Sequence, residues 1–152
     1  LKKKRNEKDF TSTGLTASAN VLEVNPECYD MWNYRKQIIT FMLDQYKEDK
    51  LTEEEIHKTL QSELGFLFRA IKSYPKSYWV WYHRKWIIDI PETKVDYTIE
   101  LGLCTKLLSL DHRNFHCWCY RRYVAMRAEV PHTTEFEYTR KKIDENFSNY
   151  SA

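Results

Sequence analysis

At residues 74–85 the chain reads YPKSYWVWYHRK, and two similar segments lie elsewhere in the sequence. They read NPECYDMWNYRK at residues 25–36 and DHRNFHCWCYRR at residues 111–122. Each segment contains an aromatic residue, a Trp three positions later, an Arg three positions after that, and then a second basic residue. Side chains three residues apart lie along one side of an α-helix. The segment therefore predicts a helix that recurs along the chain.

The spacing of these segments is typical of a two-helix repeat. Trp32, Trp81 and Trp118 are 49 and 37 residues apart, and such repeats have periods of about 34 residues or somewhat more. We expect a charged insertion at residues 44–49 to lengthen the first interval. A fourth copy begins at residues 146–152, NFSNYSA, and stops one residue before the expected Trp, so we expect a truncated repeat there. The prediction is a single α-solenoid domain over 1–152, a fragment, with repeats at about 13–47, 52–90, 94–129 and 133–152.

A first helix is predicted ahead of each of these segments. Apolar residues recur there at steps of three and four, the pattern of an amphipathic helix. Thr52 with Glu55, and Thr134 with Glu137, match the capping box that marks a helix start. The chain has only 3 Gly and 4 Pro, which leaves little turn chemistry for a many-stranded sheet, so we expect an all-α fold. The apolar positions are Ile56, Leu60, Leu64, Leu67 and Ile71 in the second copy and Ile99, Leu103 and Leu107 in the third.

The large side chains of the repeated segment are predicted to have structural roles. Aromatic pairs at helical spacing are usually core, so we expect each pair to be buried between stacked repeats. The recurring Arg is expected to bind carboxylates or carbonyls of a neighbouring helix, because a planar guanidinium suits such contacts. The residues concerned are Tyr29 with Trp32, Tyr78 with Trp81, Phe115 with Trp118, and Arg35, Arg84 and Arg121.

Charge and cysteine content exclude several classes of function. With 24 basic and 22 acidic residues the net charge is +2, which argues against a nucleic-acid or membrane-surface protein, including an RNA-binding helical repeat. The four cysteines show no CxxC spacing, so we expect reduced thiols in a cytoplasmic protein and no metal site. No apolar run reaches the roughly 20 residues that span a bilayer. The basic cluster at residues 2–5 is interpreted as a solvated helix start or tail.

The three copies together resemble the protein prenyltransferase α-subunit repeat. Generic tetratricopeptide repeats arrange small residues differently and lack the recurring Trp and Arg. Within the family, residues 25–35 and 146–151 look most like the Rab (type II) geranylgeranyltransferase branch, and the resemblance covers about residues 15–152. It implies an all-α fold of the α–α superhelix class, a right-handed, tetratricopeptide-like solenoid of helical hairpins that wraps a separate β subunit. It also implies further repeats outside this sequence.

The resemblance implies a non-autonomous subunit of an enzyme. The reaction would transfer a geranylgeranyl group from geranylgeranyl diphosphate to C-terminal cysteines of Rab GTPases, which a Rab escort protein presents. Zinc and most of the substrate pocket would belong to the β subunit, so we expect this chain to bind no cofactor or metal. Neither nucleic acid nor direct membrane insertion is expected.

The resemblance also implies roles for individual residues. Matched by position, Lys76 would be the catalytic lysine that binds the diphosphate, with Tyr78 and His116 as catalytic neighbours. Asn114, Phe115 and His116 would bind substrate in the same cleft. Phe115 departs from the family pattern, which usually has Tyr, so its expected role is reduced to packing.

The position of Lys76 has a physical rationale besides the resemblance. It lies just ahead of a predicted helix N-terminus, where free amides and the helix dipole favour an anion. His112, Arg113 and His116 would make the turn of the next repeat basic as well. From the residues alone, however, Lys76 is better interpreted as a solvated surface lysine, and only the resemblance reverses that interpretation.

Two alternatives remain open. The first is the α subunit shared by farnesyltransferase and type I geranylgeranyltransferase, which modifies CaaX peptides without an escort protein. The second is a non-catalytic interaction scaffold whose concave face binds a peptide or helix. Basic turn residues that are paired within the chain would favour the scaffold.

Overall fold

The computed structural model describes residues 10–152, so the basic cluster at residues 2–5 lies outside the described residues. Within that range the chain forms seven α-helices, one 3-10 turn and no strand, which confirms the all-α prediction. The helices are α1 (Ser12–Val24), α2 (Tyr29–Lys47), α3 (Glu53–Ser73), α4 (Tyr78–Ile88), α5 (Tyr97–Leu110), α6 (Phe115–Arg127) and α7 (His132–Glu145), and the 3-10 turn is Pro91–Thr93. The chain divides into two compact units, one ending at Lys94 and one comprising Val95–Ala152.

The unit that ends at Lys94 contains two helical hairpins. Helix α1 packs against α2, and α3 packs against α4 and the 3-10 turn, while α2 also contacts α3 and α4. Apolar side chains from all four helices are buried between them, among them Leu22, Ile38, Ile39, Leu67 and Ile87. Burial of such side chains contributes about 1.5–3 kcal/mol each, so the core follows from the apolar stripes of the helices.

The unit Val95–Ala152 contains the hairpin of α5 and α6, followed by α7. Its core includes Cys104, Leu108 and Val124, each almost completely buried. Helix α7 has no buried residue, and Phe136 is 71% exposed. The four cysteines are free thiols; Cys117 is buried and Cys119 is exposed.

One of the two predicted capping boxes is confirmed and one is wrong. The Thr52 hydroxyl accepts a hydrogen bond from the Glu55 amide, and the Glu55 carboxylate accepts one from the Thr52 amide. Helix α7, in contrast, begins at His132 after Pro131, so Thr134 lies inside its first turn. The Pro131 carbonyl accepts from the Thr134 amide (3.0 Å), which starts the helix without a hydroxyl cap.

The longer first interval between Trp residues arises from two long helices rather than from the charged stretch 44–49 alone. Helix α2 has 19 residues, against 11 in α4 and 13 in α6, and it runs into the charged stretch 44–49 as far as Lys47. Helix α3 has 21 residues, against 14 in α5. The extra residues therefore lengthen both helices that flank the charged turn.

The predicted burial of the aromatic pairs is right for Trp32 and Trp81, only partly right for Trp118, and wrong for the aromatic companions. Trp32 and Trp81 are 2% and 5% exposed, and Trp118 is half-buried. Tyr29, Tyr78 and Phe115 are instead 49%, 53% and 68% exposed. Each of these companions is the first residue of its helix, and helical side chains tilt toward the N-terminus, so these rings lie over the turn rather than in the core.

The apolar stripes are confirmed with two exceptions. Ile56, Leu60, Leu67 and Ile71 are fully buried, whereas Leu64 is only half-buried. In α5, Leu103 and Leu107 are buried, but Ile99 in the first turn is 66% exposed.

Candidate functional site

Each turn that precedes a Trp-bearing helix is fixed by the indole of that Trp. In all three copies the indole Nε1–H donates a hydrogen bond to the carbonyl six residues earlier, in the turn itself. The bonds are Trp32 to Pro26 (2.7 Å), Trp81 to Pro75 (2.8 Å) and Trp118 to His112 (2.9 Å). A buried indole needs such a partner, so the same residue fills the core and holds the turn in place.

The recurring Arg joins its helix to the preceding one. In each copy a guanidinium nitrogen donates to the carbonyl 20 residues earlier, namely Arg35 to Leu15, Arg84 to Leu64 (3.0 Å) and Arg121 to Leu101 (3.4 Å). Arg35 and Arg121 also bind a carboxylate of the following helix. These pairs are Arg35 with Glu63 and Arg121 with Glu135 (2.6 Å). The structural role predicted for these arginines is confirmed.

A buried ionic cluster lies inside the unit that ends at Lys94. Glu63 Oε1 accepts hydrogen bonds from Arg35 Nε (2.9 Å) and from His83 Nε2–H (2.8 Å), and all three side chains are at most 3% exposed. Burial opposes ionisation of Glu63, but the charge of Arg35 and the bonds from both neighbours outweigh it and lower its pKa to about 2. Burial lowers the pKa of His83, despite the adjacent Glu63. The cluster therefore contains a carboxylate, a guanidinium and a neutral imidazole.

Lys76 and Tyr78, two of the predicted site residues, lie together at the start of α4. Lys76 is exposed in the turn, one residue ahead of the N-cap Ser77, and Tyr78 is the first residue of the helix. The Tyr78 ring stacks on Tyr82 with a centroid distance of 5.8 Å and an interplanar angle of 13°. The predicted placement of Lys76 before a helix N-terminus is thus confirmed, whereas its diphosphate-binding role stays a prediction.

The other three predicted site residues are adjacent in the unit Val95–Ala152. Asn114 is only 3% exposed, and its Oδ1 accepts from the Cys117 amide (3.0 Å), so it caps α6. Phe115 is largely exposed, and the half-buried ring of His116 lies 5.9 Å from it. Of this set, the two rings at 115 and 116 offer surface to a ligand, while the Asn114 oxygen is used by the fold. Their roles in substrate binding also stay predictions.

The two other basic residues of that turn are engaged within the chain. His112 Nε2 lies 2.8 Å from Asn146 Nδ2, and Arg113 donates to the Ser148 carbonyl (3.0 Å). The Arg113 guanidinium also lies 5.8 Å from the centre of the Tyr150 ring. These contacts stabilise the next turn of the chain, and they engage the side chains that were expected to face an anion.

Sequence reasoning missed the carboxylates that the arginines bind. When the repeats are superimposed on the aromatic residues Tyr78, Phe115 and Tyr150, Glu63, Glu100 and Glu135 occupy one position. Glu100 is 3% exposed and accepts from the Tyr120 hydroxyl (2.7 Å), as Glu63 accepts from His83. The sequence does contain a signal for these carboxylates. A Glu lies 20 residues before the residue that precedes the repeat Arg, as Glu63 lies before His83 and Glu100 before Tyr120.

Neither a metal site nor a membrane span is found in the described part of the chain. Within residues 10–152 no group of three or more His, Cys, Asp or Glu side chains could hold a metal ion. Over the same residues, no helix combines the length and the hydropathy needed to cross a bilayer.

Comparison with known proteins finds relatives in different organisms that share one name. The human geranylgeranyl transferase type-2 subunit alpha is 39% identical over 150 residues, which cover 98% of this chain and 25% of that protein. The Candida albicans protein of the same name is 35% identical over 97% of this chain and 43% of its own length. The Dictyostelium discoideum protein is 41% identical over 86% of this chain and 40% of its own length. The chain thus spans between a quarter and less than half of these relatives.

The repeats themselves match a described family. Residues 12–42, 60–90 and 97–128 match the family described as protein prenyltransferase alpha subunit repeat. Each matched segment contains one of the three Trp residues that hold a turn and one of the three Arg residues that bind the preceding helix. The matches cover more than half of the sequence, and the chain belongs to the protein prenyltransferase alpha subunit repeat family.

Proposed function

We propose that this chain is part of the α subunit of a heterodimeric protein geranylgeranyltransferase that modifies Rab GTPases in the cytoplasm. The observation that carries the proposal is the similarity to geranylgeranyl transferase type-2 alpha subunits along 98% of the chain. The proposed partners are a prenyltransferase β subunit, a Rab substrate with its escort protein, and geranylgeranyl diphosphate. In this proposal the chain is active only in the complex.

In the proposed reaction a thiolate of the Rab C-terminus attacks C1 of geranylgeranyl diphosphate. The new C–S bond forms as the bond from C1 to the diphosphate oxygen breaks, and pyrophosphate leaves with the electron pair. The cysteine would be held in its thiolate form by zinc, which the proposal assigns to the β subunit. This chain would act on the leaving group, because negative charge grows on the diphosphate as the bond breaks.

The turn before α4 is suited to that role. Lys76 is exposed there, directly before the N-cap of a helix whose free amides and dipole favour an anion. The indole of Trp81 fixes the backbone of the turn through the Pro75 carbonyl (2.8 Å). An ammonium on a fixed turn stabilises developing charge with little reorganisation, which is the requirement for electrostatic catalysis.

The test is turnover of the assembled complex with Lys76→Ala. We expect kcat to fall by about tenfold or more, with little change in affinity for the Rab substrate, because the interaction strengthens as the leaving group departs. Lys58→Ala removes another exposed lysine of the same unit and serves as the control. Equal turnover for the parent complex and Lys76→Ala would remove the diphosphate-binding role.

The substrate separates this proposal from the farnesyltransferase or type I alternative. A CaaX peptide that is modified without escort protein would favour the alternative, whereas a requirement for the escort protein favours the Rab enzyme. Both outcomes are measured with the same complex by incorporation of labelled isoprenoid.

One observation favours a non-catalytic scaffold as the second candidate. His112 and Arg113, which were expected to face an anion, are engaged by Asn146 and Ser148 within the chain. If the complex with the β subunit binds its peptide but transfers no isoprenoid, the scaffold becomes the better description.

A further inference from the structure

The helices α2 and α4 border an open cleft of about 300 Å³, which we call the aromatic cleft. Its walls are built from rings that pack on one another. The ring centroids of Tyr29 and Trp79 are 4.6 Å apart, and those of Trp79 and Tyr82, which meet edge-on, are 6.1 Å apart. Tyr29 and Tyr82 are each about half exposed, so the cleft presents aromatic surface to a ligand. The residues that line it are Tyr29, Asn33, Lys36, Tyr78, Trp79 and Tyr82, above Trp32 and His83.

Lys36 brings a positive charge into this cleft. Its ammonium lies 4.2 Å from the centre of the Tyr82 ring and 5.2 Å from that of Trp86. The side chain makes no ion pair with any of residues 10–152, unlike Lys94 on the same unit, which binds Glu53. Partial burial lowers the pKa of Lys36. An ammonium that has lost water and meets no anion among the described residues gains more from a carboxylate than a fully solvated ammonium does.

The floor of the cleft is closed by a residue of the buried ionic cluster. His83 lines the cleft, its side chain is completely buried, and its Nε2–H donates to Glu63 (2.8 Å). Because burial lowers the pKa of His83, its ring is neutral, and Lys36 supplies the positive charge of the cleft among the described residues.

We propose that the aromatic cleft is a docking site for a segment of the β subunit that presents a carboxylate side chain next to an apolar one, with the carboxylate bound by Lys36. The inference rests on the proposed function, since its partner is the β subunit proposed there. Charge complementarity selects the carboxylate, and the exposed rings provide the contact for the apolar neighbour. Aromatic side chains around a desolvated charge are typical of the residues that dominate the affinity of an interface.

The cleft favours a carboxylate over the diphosphate of an isoprenoid. Within residues 10–152, Lys36 is the one cation that lines the cleft. A diphosphate carries several negative charges and is usually bound by several cations or amides. A volume of about 300 Å³ is sufficient for an acidic side chain and part of an apolar one. One carboxylate therefore matches both the charge and the size of the cleft.

The first test measures binding of the whole chain to the purified β subunit by isothermal titration calorimetry. We expect Lys36→Met to raise Kd by about tenfold, and Lys36→Arg to raise it much less, because Arg keeps the charge. The Kd of the parent should rise more steeply with NaCl than that of Lys36→Met, because screening weakens the ion pair. Lys47→Met, at an exposed position of the same helix, should leave Kd unchanged.

The second test identifies the group that Lys36 meets. A carbodiimide joins a lysine to a carboxylate only when the two are in contact, so the cross-linked complex should yield a peptide that links Lys36 to an Asp or Glu of the β subunit. Equal Kd values for the parent and Lys36→Met, or a complex without that cross-link, would overturn the docking site and leave the proposed function intact. If the parent chain does not bind the β subunit, both fail. If Lys36→Met weakens binding of geranylgeranyl diphosphate instead, the cation binds the isoprenoid substrate and the docking site is wrong.

Discussion

Replacing Glu63 by Gln tests whether the buried ionic cluster holds the two hairpins of the first unit together. The side chains of Arg35 and Glu63 are 3% and 2% exposed, so the guanidinium of Arg35 has no access to water once its anion is removed. It would keep hydrogen bonds to the Leu15 carbonyl and to Ser18 Oγ (2.8 Å), but neither carries a compensating charge.

The expected cost is large because a buried charge loses its partner. Removal of one member of a buried ion pair typically destabilises a protein by about 3–5 kcal/mol. In Glu63→Gln one amide oxygen can still accept a hydrogen bond from His83 or Arg35, which favours the lower end, and we expect a loss of about 3 kcal/mol. Glu54→Gln, at an exposed position of the same helix, should cost less than about 1 kcal/mol.

Urea denaturation followed by tryptophan fluorescence measures this free energy. Trp32, Trp79, Trp81 and Trp86, four of the five tryptophans, lie in the unit that ends at Lys94, so the signal reports mainly on that unit. The double variant Arg35→Met/Glu63→Met should be more stable than Glu63→Met alone, because it leaves no buried charge unpaired. A loss below about 1 kcal/mol for Glu63→Gln, or a double variant no more stable than Glu63→Met, would refute the assignment of a coupled buried pair.

Three further predictions concern stability. Trp81→Ala should lower the free energy of unfolding by about 3–5 kcal/mol, and Trp81→Phe by less, in thermal melts; an unchanged Tm would contradict its core role. Thr52→Ala should cost about 1 kcal/mol in urea titrations because it removes a helix cap, while Thr134→Ala should cost less than half of that. The contribution of His83 to stability should be full above the unfolded-state His pKa of about 6.5 and should be lost as pH falls below it, because burial lowers the pKa of His83. His83→Gln should flatten this part of the pH dependence, and equal pH profiles for both proteins would refute it.

The repeat motif predicted the structural framework of the chain because its chemistry is local. Trp32 and Trp81 lie one turn inside their helices, on the side against which another helix packs, and both are buried. Thr52 and Glu55 form their cap within one turn, so neighbours in sequence suffice to predict it. Thr134 has the same local pattern, but Pro131 starts the helix earlier. A fixed φ at one residue thus outweighed a hydroxyl cap three residues later.

The remaining features depend on pairs of residues that are distant in sequence. Glu63 reaches Arg35 across 28 residues and His83 across 20, and nothing in the local pattern specifies which carboxylate an Arg will bind. The exposure of Tyr29 and Tyr78 likewise follows from their position at the first residue of a helix, where no preceding turn covers the ring. The residues proposed to act on substrate were obtained from the resemblance, since an exposed lysine such as Lys76 has no distinguishing mark of its own.

The hydrogen bond from each indole to the carbonyl six residues upstream has a consequence for evolution and for engineering. Together with turn bonds such as that from the Glu27 amide to Asn25 Oδ1 (3.1 Å), a side chain that belongs to the helix beyond the corner holds the corner in place. Positions 76 and 113 correspond in two copies, one with a lysine and the other with an arginine, and the indole bond is the same in both. A change of basic residue at this position is therefore compatible with the same indole-held corner, provided that the tryptophan remains.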